Sequence, residues 1–410
     1  MAAPTSDTID EALPDGGRLS GFCAPQFAAV RDAMRRNFAE RGEIGASLCI
    51  THRGATLVDL WGGIADPATG KPWERDTICL VFSATKGAAA LVAHMLVARG
   101  QLSLDEDVCR LWPAFGQNGK AGTTLAMMLS HASPVPAFRD PIKDNGPCDW
   151  DYMVERVAAE PAWWPPGSRQ GYHGLSFAWT IGEMVRLASG QRLAAYFREE
   201  VAEPLGLDFW IGLPVAHEDR VATLVLADFA EMDPTTKFYR ALTTEPGSLT
   251  QLVTTNTGNI DFNSRAVRAA EIPSANGVTN ARGLAGLYAP LANGGGGLVD
   301  PDAIARMSRV VSAAHEDACL LQPMRFALGF MATMGTPDSD STAIIGERAF
   351  GHVGMGGSIG FADPEAEMSF GYAMNRGGTG VLLNPRGQAL VDAAYRSLGW
   401  SSNLSGGWRR

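Results

Sequence analysis

The sequence predicts an α/β unit with an all-α region inserted into it. Strand patterns gather near both ends of the 410-residue chain, and the stretch between them reads as helices broken by Pro- and Gly-rich loops. A third observation supplies the chemistry: Phe82-Ser83-Ala84-Thr85-Lys86 opens a long apolar helix.

In chain order, residues 1–22 are polar, acidic and rich in Gly and Pro, and read as an arm lying on the surface. Pro25 to Glu43 places Phe27, Val30, Met34 and Phe38 three and four apart, the spacing of an amphipathic helix. Ala46–Ile50 and Thr56–Trp61 flank His52-Arg53-Gly54 and predict a β-hairpin over Gly45 to Gly63. Ser83 to Arg99 is the apolar helix, stopped by Gly100. Gly283 to Ala292 and Pro301 to Ala314 read as helices joined by a run of four glycines. That run is a flexible turn, since no strand leads into it as a phosphate loop requires. Phe350 to Phe361 and Glu367 to Asn375 read as strands around a turn at Asp363-Pro364-Glu365, and Pro385 to Leu398 as the last helix. The expected division is an arm (1–22), a discontinuous α/β domain (23–105 and 284–400), a mainly helical domain (106–283) and a frayed tail (401–410).

Composition excludes several functions. A formal charge of −10 disfavours nucleic acid as a partner, because phosphate binding wants a basic stripe. No uncharged apolar run approaches the roughly 18 residues of a membrane span. The first twenty residues lack the basic start and apolar stretch of a secretory signal. The six cysteines have no paired spacing and read as free thiols, so a reducing cytoplasm is expected. The apolar neighbours of most of them favour packing over reactivity. The histidines show no metal-ligand spacing: His217-Glu218-Asp219 lacks a second histidine four residues along. No metal and no cofactor are expected.

Ser83 and Lys86 lie three residues apart and so share one helix face, with the amine within reach of the hydroxyl. A lysine buried between apolar segments loses its proton readily and becomes a base for a serine nucleophile. Of the five lysines, only Lys86 has a serine three positions before it. A surface lysine on a helix is the plainer reading. It does not explain Ile78–Phe82 on one side and Gly87–Ala93 on the other.

Two further elements follow in order: Tyr172, in Gly171-Tyr172-His173-Gly174 just before a helix, and His352-Val353-Gly354 in a glycine-rich strand region. Together with Ser-x-x-Lys this set resembles the serine β-lactamase and penicillin-binding-protein superfamily, and within it the class C-like esterases called family VIII carboxylesterases. The resemblance spans about residues 24–398. It implies the β-lactamase/transpeptidase-like fold, an antiparallel sheet flanked by helices with a helical domain inserted. It also implies Ser83 as nucleophile, Lys86 as base or proton relay, and Tyr172 as the group that assists attack and protonates the leaving group. A tyrosine titrates near 10, so as a base it needs a cation nearby, and Lys86 is expected to supply one. The N–H groups of Ser83 and, by simple alignment, Met355 are expected to form the oxyanion hole. Gly354 lets the strand edge approach closely, and His352 meets the substrate.

The sequence departs from the superfamily pattern in three places. Tyr172-His173-Gly174 lacks the asparagine of Tyr-x-Asn, and His352 replaces the lysine of Lys-Thr-Gly. Both changes weaken recognition of an anionic lactam and favour neutral esters. Ser133-Pro134-Val135-Pro136, after the structural Leu129-Ser130-His131, stiffens a loop at the pocket rim. Phe138, Trp163, Trp164 and His173 are candidates for lining an acyl or alcohol pocket. Gly356-Gly357-Ser358-Ile359-Gly360 fits the nucleophile elbow of α/β-hydrolases. That fold needs a histidine after the serine, however, and all seven histidines precede Ser358. The expected protein is a serine carboxylesterase acting on a small-molecule ester, with a β-lactamase, a D-Ala-D-Ala peptidase and a catalytically silent binding protein as the alternatives. Assembly into a homo-oligomer stays open.

Overall fold

Strands from both ends of the chain meet in one sheet in the computed structural model, which describes residues 7–14, 16–335, 342–403 and 407–410. The first part of the chain contributes Asp7–Ala12 (β1), Arg18–Cys23 (β2), Gly45–His52 (β3) and Ala55–Asp66 (β4). The last part contributes Ser312–Ala314 (β5), Met324–Phe326 (β6), Met331–Ala332 (β7), Phe350–Val353 (β8), Ile359–Asp363 (β9) and Met368–Met374 (β10). The order is β1-β2-β4-β3-β10-β9-β8-β7-β6-β5, with Lys71–Pro72 paired to β4 as an eleventh strand. Every pairing is antiparallel. The seam between the two parts is β3 on β10, in register from Ala46↔Met374 to His52↔Met368.

The predicted hairpin is present. Arg53 and Gly54 both adopt positive φ (52° and 77°), as a two-residue turn that matches strand twist requires. The helices are Ala28–Glu40 (α1), Thr85–Ala98 (α2), Phe177–Ser189 (α3), Ala281–Ala292 (α4) and Pro385–Ser397 (α5), with shorter ones between α2 and α4. Helix α4 lies on β10, β9 and β3, while α1 packs against α5. Gly360 and Gly371 face each other across β9 and β10. A Cβ on Gly371 would sit 2.2 Å from the Ala281 carbonyl oxygen, and one on Gly360 2.7 Å from the Tyr288 ring, so this glycine pair allows α4 to approach the sheet. Helix α2 is apolar on all sides and is buried from Thr85 to Leu96, packed on α3.

Four expectations fail. Residues 7–23 are not an arm on the surface: β1 and β2 extend the sheet and bury Ile9 and Leu19. Each carries little apolar sequence because it is buried on one face only. Residues 1–6 and 15 lie outside the described residues. Phe350 to Phe361 is two strands, split by a turn at 354–358 where Gly354 N–H donates to Ser358 O (2.7 Å). The helix from Pro301 ends at Ser308, and 312–314 is the edge strand β5. The tail pairs Ser401–Asn403 with Gly407–Arg409, and Trp408 is buried against Tyr395, ring centroids 5.5 Å apart. Residues 404–406 of that tail lie outside the described residues. The region between α2 and α4 also contributes Phe209–Trp210 and Val278–Thr279, which join Cys79–Leu80 in a small three-stranded sheet.

Candidate active site

Ser83 occupies a single 3-10 turn, Phe82–Ala84, that runs into α2. Phe82 holds φ +46°, a left-handed conformation costly for an aromatic residue, at the position just before Ser83. The turn is braced by the loop before α4. Val81 N–H donates to Gly277 O (2.9 Å), and Gly277 N–H donates to Thr85 Oγ1 (2.9 Å).

Lys86 follows on the same helix face and is fully buried. Its Nζ lies 3.0 Å from Ser83 Oγ, 2.8 Å from Gly174 O and 2.9 Å from Ser274 O. It also stands over the Tyr172 ring, 4.9 Å from the centroid. Among the described residues no carboxylate pairs with it, and burial holds its ammonium well below the usual lysine range. A neutral amine fits these three contacts. Once unprotonated, an amine that donates to the two carbonyls has its lone pair left for the serine hydroxyl.

Tyr172 stands near Ser83, whose hydroxyl acts to lower the phenol's pKa. Its ring lies 4.9 Å from that of His131 and stacks on Phe326 at 6.1 Å. Burial pushes the phenol above its usual range; Ser83 opposes this, and the charge of Asp317 adds to it. The expectation that Lys86 lends Tyr172 a positive charge is therefore corrected. Desolvation drives each group toward its neutral form.

His352, at the end of β8, is buried with its ring 6.2 Å from Tyr172. Its Nδ1 lies 2.7 Å from Val353 O, and Nε2 is buried with no hydrogen-bond partner among the described residues. Burial, with Lys86 nearby, brings its pKa down to about 3. His173 is also buried, with Nδ1 2.7 Å from Gly171 O and a pKa lowered by burial to about 4. It faces inward: its backbone N–H donates to His131 Nδ1 (3.1 Å). Trp164 lies against Gly171 beside Tyr172, where a Cβ would meet the indole at 2.7 Å. Phe138 belongs to the core of the helical region. Among the described residues, no hydrogen bond or ring contact joins Phe138 or Trp164 to Ser83, Lys86 or Tyr172.

Gly354 follows β8, and its environment is specific. A Cβ there would stand 2.1 Å from Val81 O and 3.4 Å from Phe82 Cβ. The close approach is thus to the segment that carries Ser83, and it brings residues 354–355 alongside that turn. Met355 is 42% exposed. Ser358 is buried in the turn that follows. Among the described residues, no group of three or more His, Cys, Asp or Glu side chains is arranged to hold a metal ion, and no helix is long and apolar enough to cross a membrane.

Sequence reasoning missed three parts of this site. The carbonyls of Gly174 and Ser274 are backbone groups, which no motif reveals. His131, taken as structural, touches Tyr172, His173 and Phe326, and it sits at φ +61°. Asp317 accepts the backbone N–H of Tyr172 (3.0 Å) from 145 residues away.

Comparison with known proteins gives a consistent result. The family model described as Beta-lactamase matches residues 30–395. The chain is 35% identical over 384 residues to the esterase/beta-lactamase LipL of Mycobacterium tuberculosis, covering 91% of this chain and 85% of LipL. It is 33% identical over 221 residues to esterase EstB of Burkholderia gladioli, covering 50% of this chain and 53% of EstB. A crystal structure of a family VIII carboxylesterase superposes with TM-score 0.79 at 36% identity, covering 92% of this chain and 99% of that one. A penicillin-binding-protein homologue from Caulobacter crescentus superposes with TM-score 0.80, also at 36% identity and the same coverage.

Proposed function

The chain belongs to the Beta-lactamase family and is a serine hydrolase, and from that premise we propose that it is a carboxylesterase for small neutral esters, with Ser83 as nucleophile, Lys86 as base and Tyr172 as acid. One observation carries the reading: the buried amine of Lys86, 3.0 Å from Ser83 Oγ, is held by two carbonyls in a geometry that leaves its lone pair for the serine proton.

In acylation, Ser83 Oγ attacks the ester carbonyl carbon as its proton passes to Lys86. The carbonyl oxygen becomes an oxyanion held by the N–H groups of Ser83 and Met355, at the N-terminal end of α2. As the C–O bond breaks, Tyr172 gives its proton to the alkoxide, and the Lys86 ammonium restores the phenol. A water molecule then attacks the acyl carbon, its proton returns through the same groups, and Ser83 leaves as the free hydroxyl. Two titratable groups pushed apart by their surroundings divide the roles, a lysine that prefers to be an amine and a tyrosine that prefers to be a phenol.

The neutral substrate class follows from the same electrostatics. Lys86, His131, His173 and His352 are all driven toward neutral forms by burial, so a substrate carboxylate finds no cation among them. A β-lactamase is the second reading, because the LipL relative bears both names. Turnover of a chromogenic cephalosporin against a short p-nitrophenyl ester decides between them. The esterase reading requires the ester to be the better substrate by kcat/KM. The six free cysteines support a reducing compartment such as the cytoplasm.

The deciding experiment on the site is mass spectrometry after a fluorophosphonate probe. The reading requires one adduct on Ser83. An adduct on Ser358, or none, removes it.

A further inference from the structure

We propose that the buried carboxylate of Asp317 is a positioning residue that sets Tyr172 for proton transfer to the leaving alcohol. The proposal rests on the acid role given to Tyr172 above. Asp317 is fully buried, a costly place for a carboxylate that lacks strong partners. Its partners are N–H groups. Oδ1 accepts from the backbone of Tyr172 (3.0 Å), Cys319 (2.9 Å) and Leu320 (3.0 Å), and Oδ2 accepts from Gln170 Nε2 (3.2 Å).

The donors fall into two sets. Cys319 and Leu320 belong to Asp317's own turn, and an aspartate at the surface caps such a turn equally well. Gln170 and Tyr172 come from a different part of the chain, and reaching them is what places the carboxylate in the interior. The tie is reinforced: Ala318 N–H donates to Gln170 O (3.1 Å), and Ser312 Oγ donates to Gln170 Oε1 (2.6 Å). From the other side, Gly171 N–H donates to His131 O (3.0 Å). The backbone of 170–172 is therefore pinned on both flanks, while the Tyr172 ring is enclosed by His131 and Phe326.

An acid acts only when its proton lies within hydrogen-bond reach of the acceptor, and a displacement of about 1 Å costs on the order of 10²-fold in rate. Asp317 contacts the backbone of Tyr172 and does not contact Ser83 or Lys86, so its influence on the reaction passes through where Tyr172 stands. The turn at 317–321 is the template, and the phenol is what it aims.

The test is a double-mutant cycle on an alkyl ester, with active sites titrated by the fluorophosphonate so that turnover is counted per folded site. Asp317→Ala is expected to lower kcat by about 10- to 100-fold with KM within about threefold. Asp317→Asn is expected to recover most of that loss, since the amide oxygen still accepts the three backbone N–H groups and Gln170 can turn its own amide. In a Tyr172→Phe background, Asp317→Ala is expected to cost less than about twofold more. Wild-type turnover per titrated site in Asp317→Ala overturns the proposal. So does an equal loss in both backgrounds, which assigns the turn to the fold alone, and so does an Asn variant as impaired as Ala. If Tyr172→Phe itself keeps full kcat, the acid role of Tyr172 is what has failed.

Discussion

Lys86 Nζ lies 3.0 Å from Ser83 Oγ, and no imidazole bonds to that hydroxyl. In the proposed reaction this pair stands in for a serine–histidine arrangement, and burial, by lowering the lysine's pKa, favours the unprotonated amine that a base requires. This predicts which serine is essential. Ser83→Ala is expected to abolish ester turnover. Ser358→Ala is expected to retain a large part of it, because Ser358 is buried in the turn after Gly354 and its backbone oxygen accepts the Gly354 N–H. Steady-state rates of both purified variants decide, and equal losses would reject the Ser83 assignment.

The pH profile follows from the direction of the Lys86 shift. The amine is the active form, and burial lowers its pKa from 10.5. Activity therefore rises as pH climbs through that lowered pKa, and it holds until the raised pKa of Tyr172 is approached. His352 and His173, with pKa values of about 3 and about 4, stay neutral above that range and add no step near neutrality. In a kcat/KM pH profile the wild type is expected to show this rising limb below the usual lysine range. Lys86→Ala loses it, along with roughly 10²–10⁴-fold of the rate. A Lys86→Ala enzyme with the limb intact takes the lysine out of the reaction.

If Tyr172 protonates the departing alkoxide, its removal matters most where the alkoxide is a strong base. Tyr172→Phe is expected to lose far more kcat/KM on a simple alkyl ester than on a p-nitrophenyl ester with the same acyl group. The difference should be on the order of 10-fold or more. An identical loss on both esters argues that the phenol serves packing or attack instead.

Gly354→Ala tests the close approach beside Ser83. The new methyl group would stand 2.1 Å from Val81 O, so either the end of β8 or the turn carrying Ser83 must move. Because the oxyanion hole is assigned to N–H groups on those two segments, kcat is expected to fall by about 10²-fold or more while the fold persists. Circular dichroism and kcat measured on one preparation check this, and a folded variant with full turnover separates Gly354 from the chemistry.

The parts of this site that the sequence exposed are those built from local spacing. Ser83 and Lys86 are readable because three residues make most of a helical turn, and the 45–63 hairpin is readable from its flanking strands and turn glycine. Tyr172 and His352 became visible only through resemblance, since neither has a local pattern that marks it. The two carbonyls on Lys86 and the carboxylate on the Tyr172 backbone are long-range contacts, and nothing near Gly174, Ser274 or Asp317 in sequence announces them. The strands at 7–12 and 18–23 carry a weak signal because one-sided burial leaves few apolar residues, only Ile9 and Ala12 in the first. The tail was misread because its Ser/Gly content hid the anchoring contact of Trp408 on Tyr395.

The seam between β3 and β10 joins Thr51 to Ser369, whose hydroxyls meet at 2.7 Å across 318 residues of chain. Helix α2 therefore leaves the ribosome long before β8, which flanks its nucleophile, has been translated. Pairings so distant in sequence close slowly and late. A nascent chain halted ahead of residue 350 would display Ser83 without the strand that flanks it, so competence for hydrolysis waits on the segment beyond residue 350.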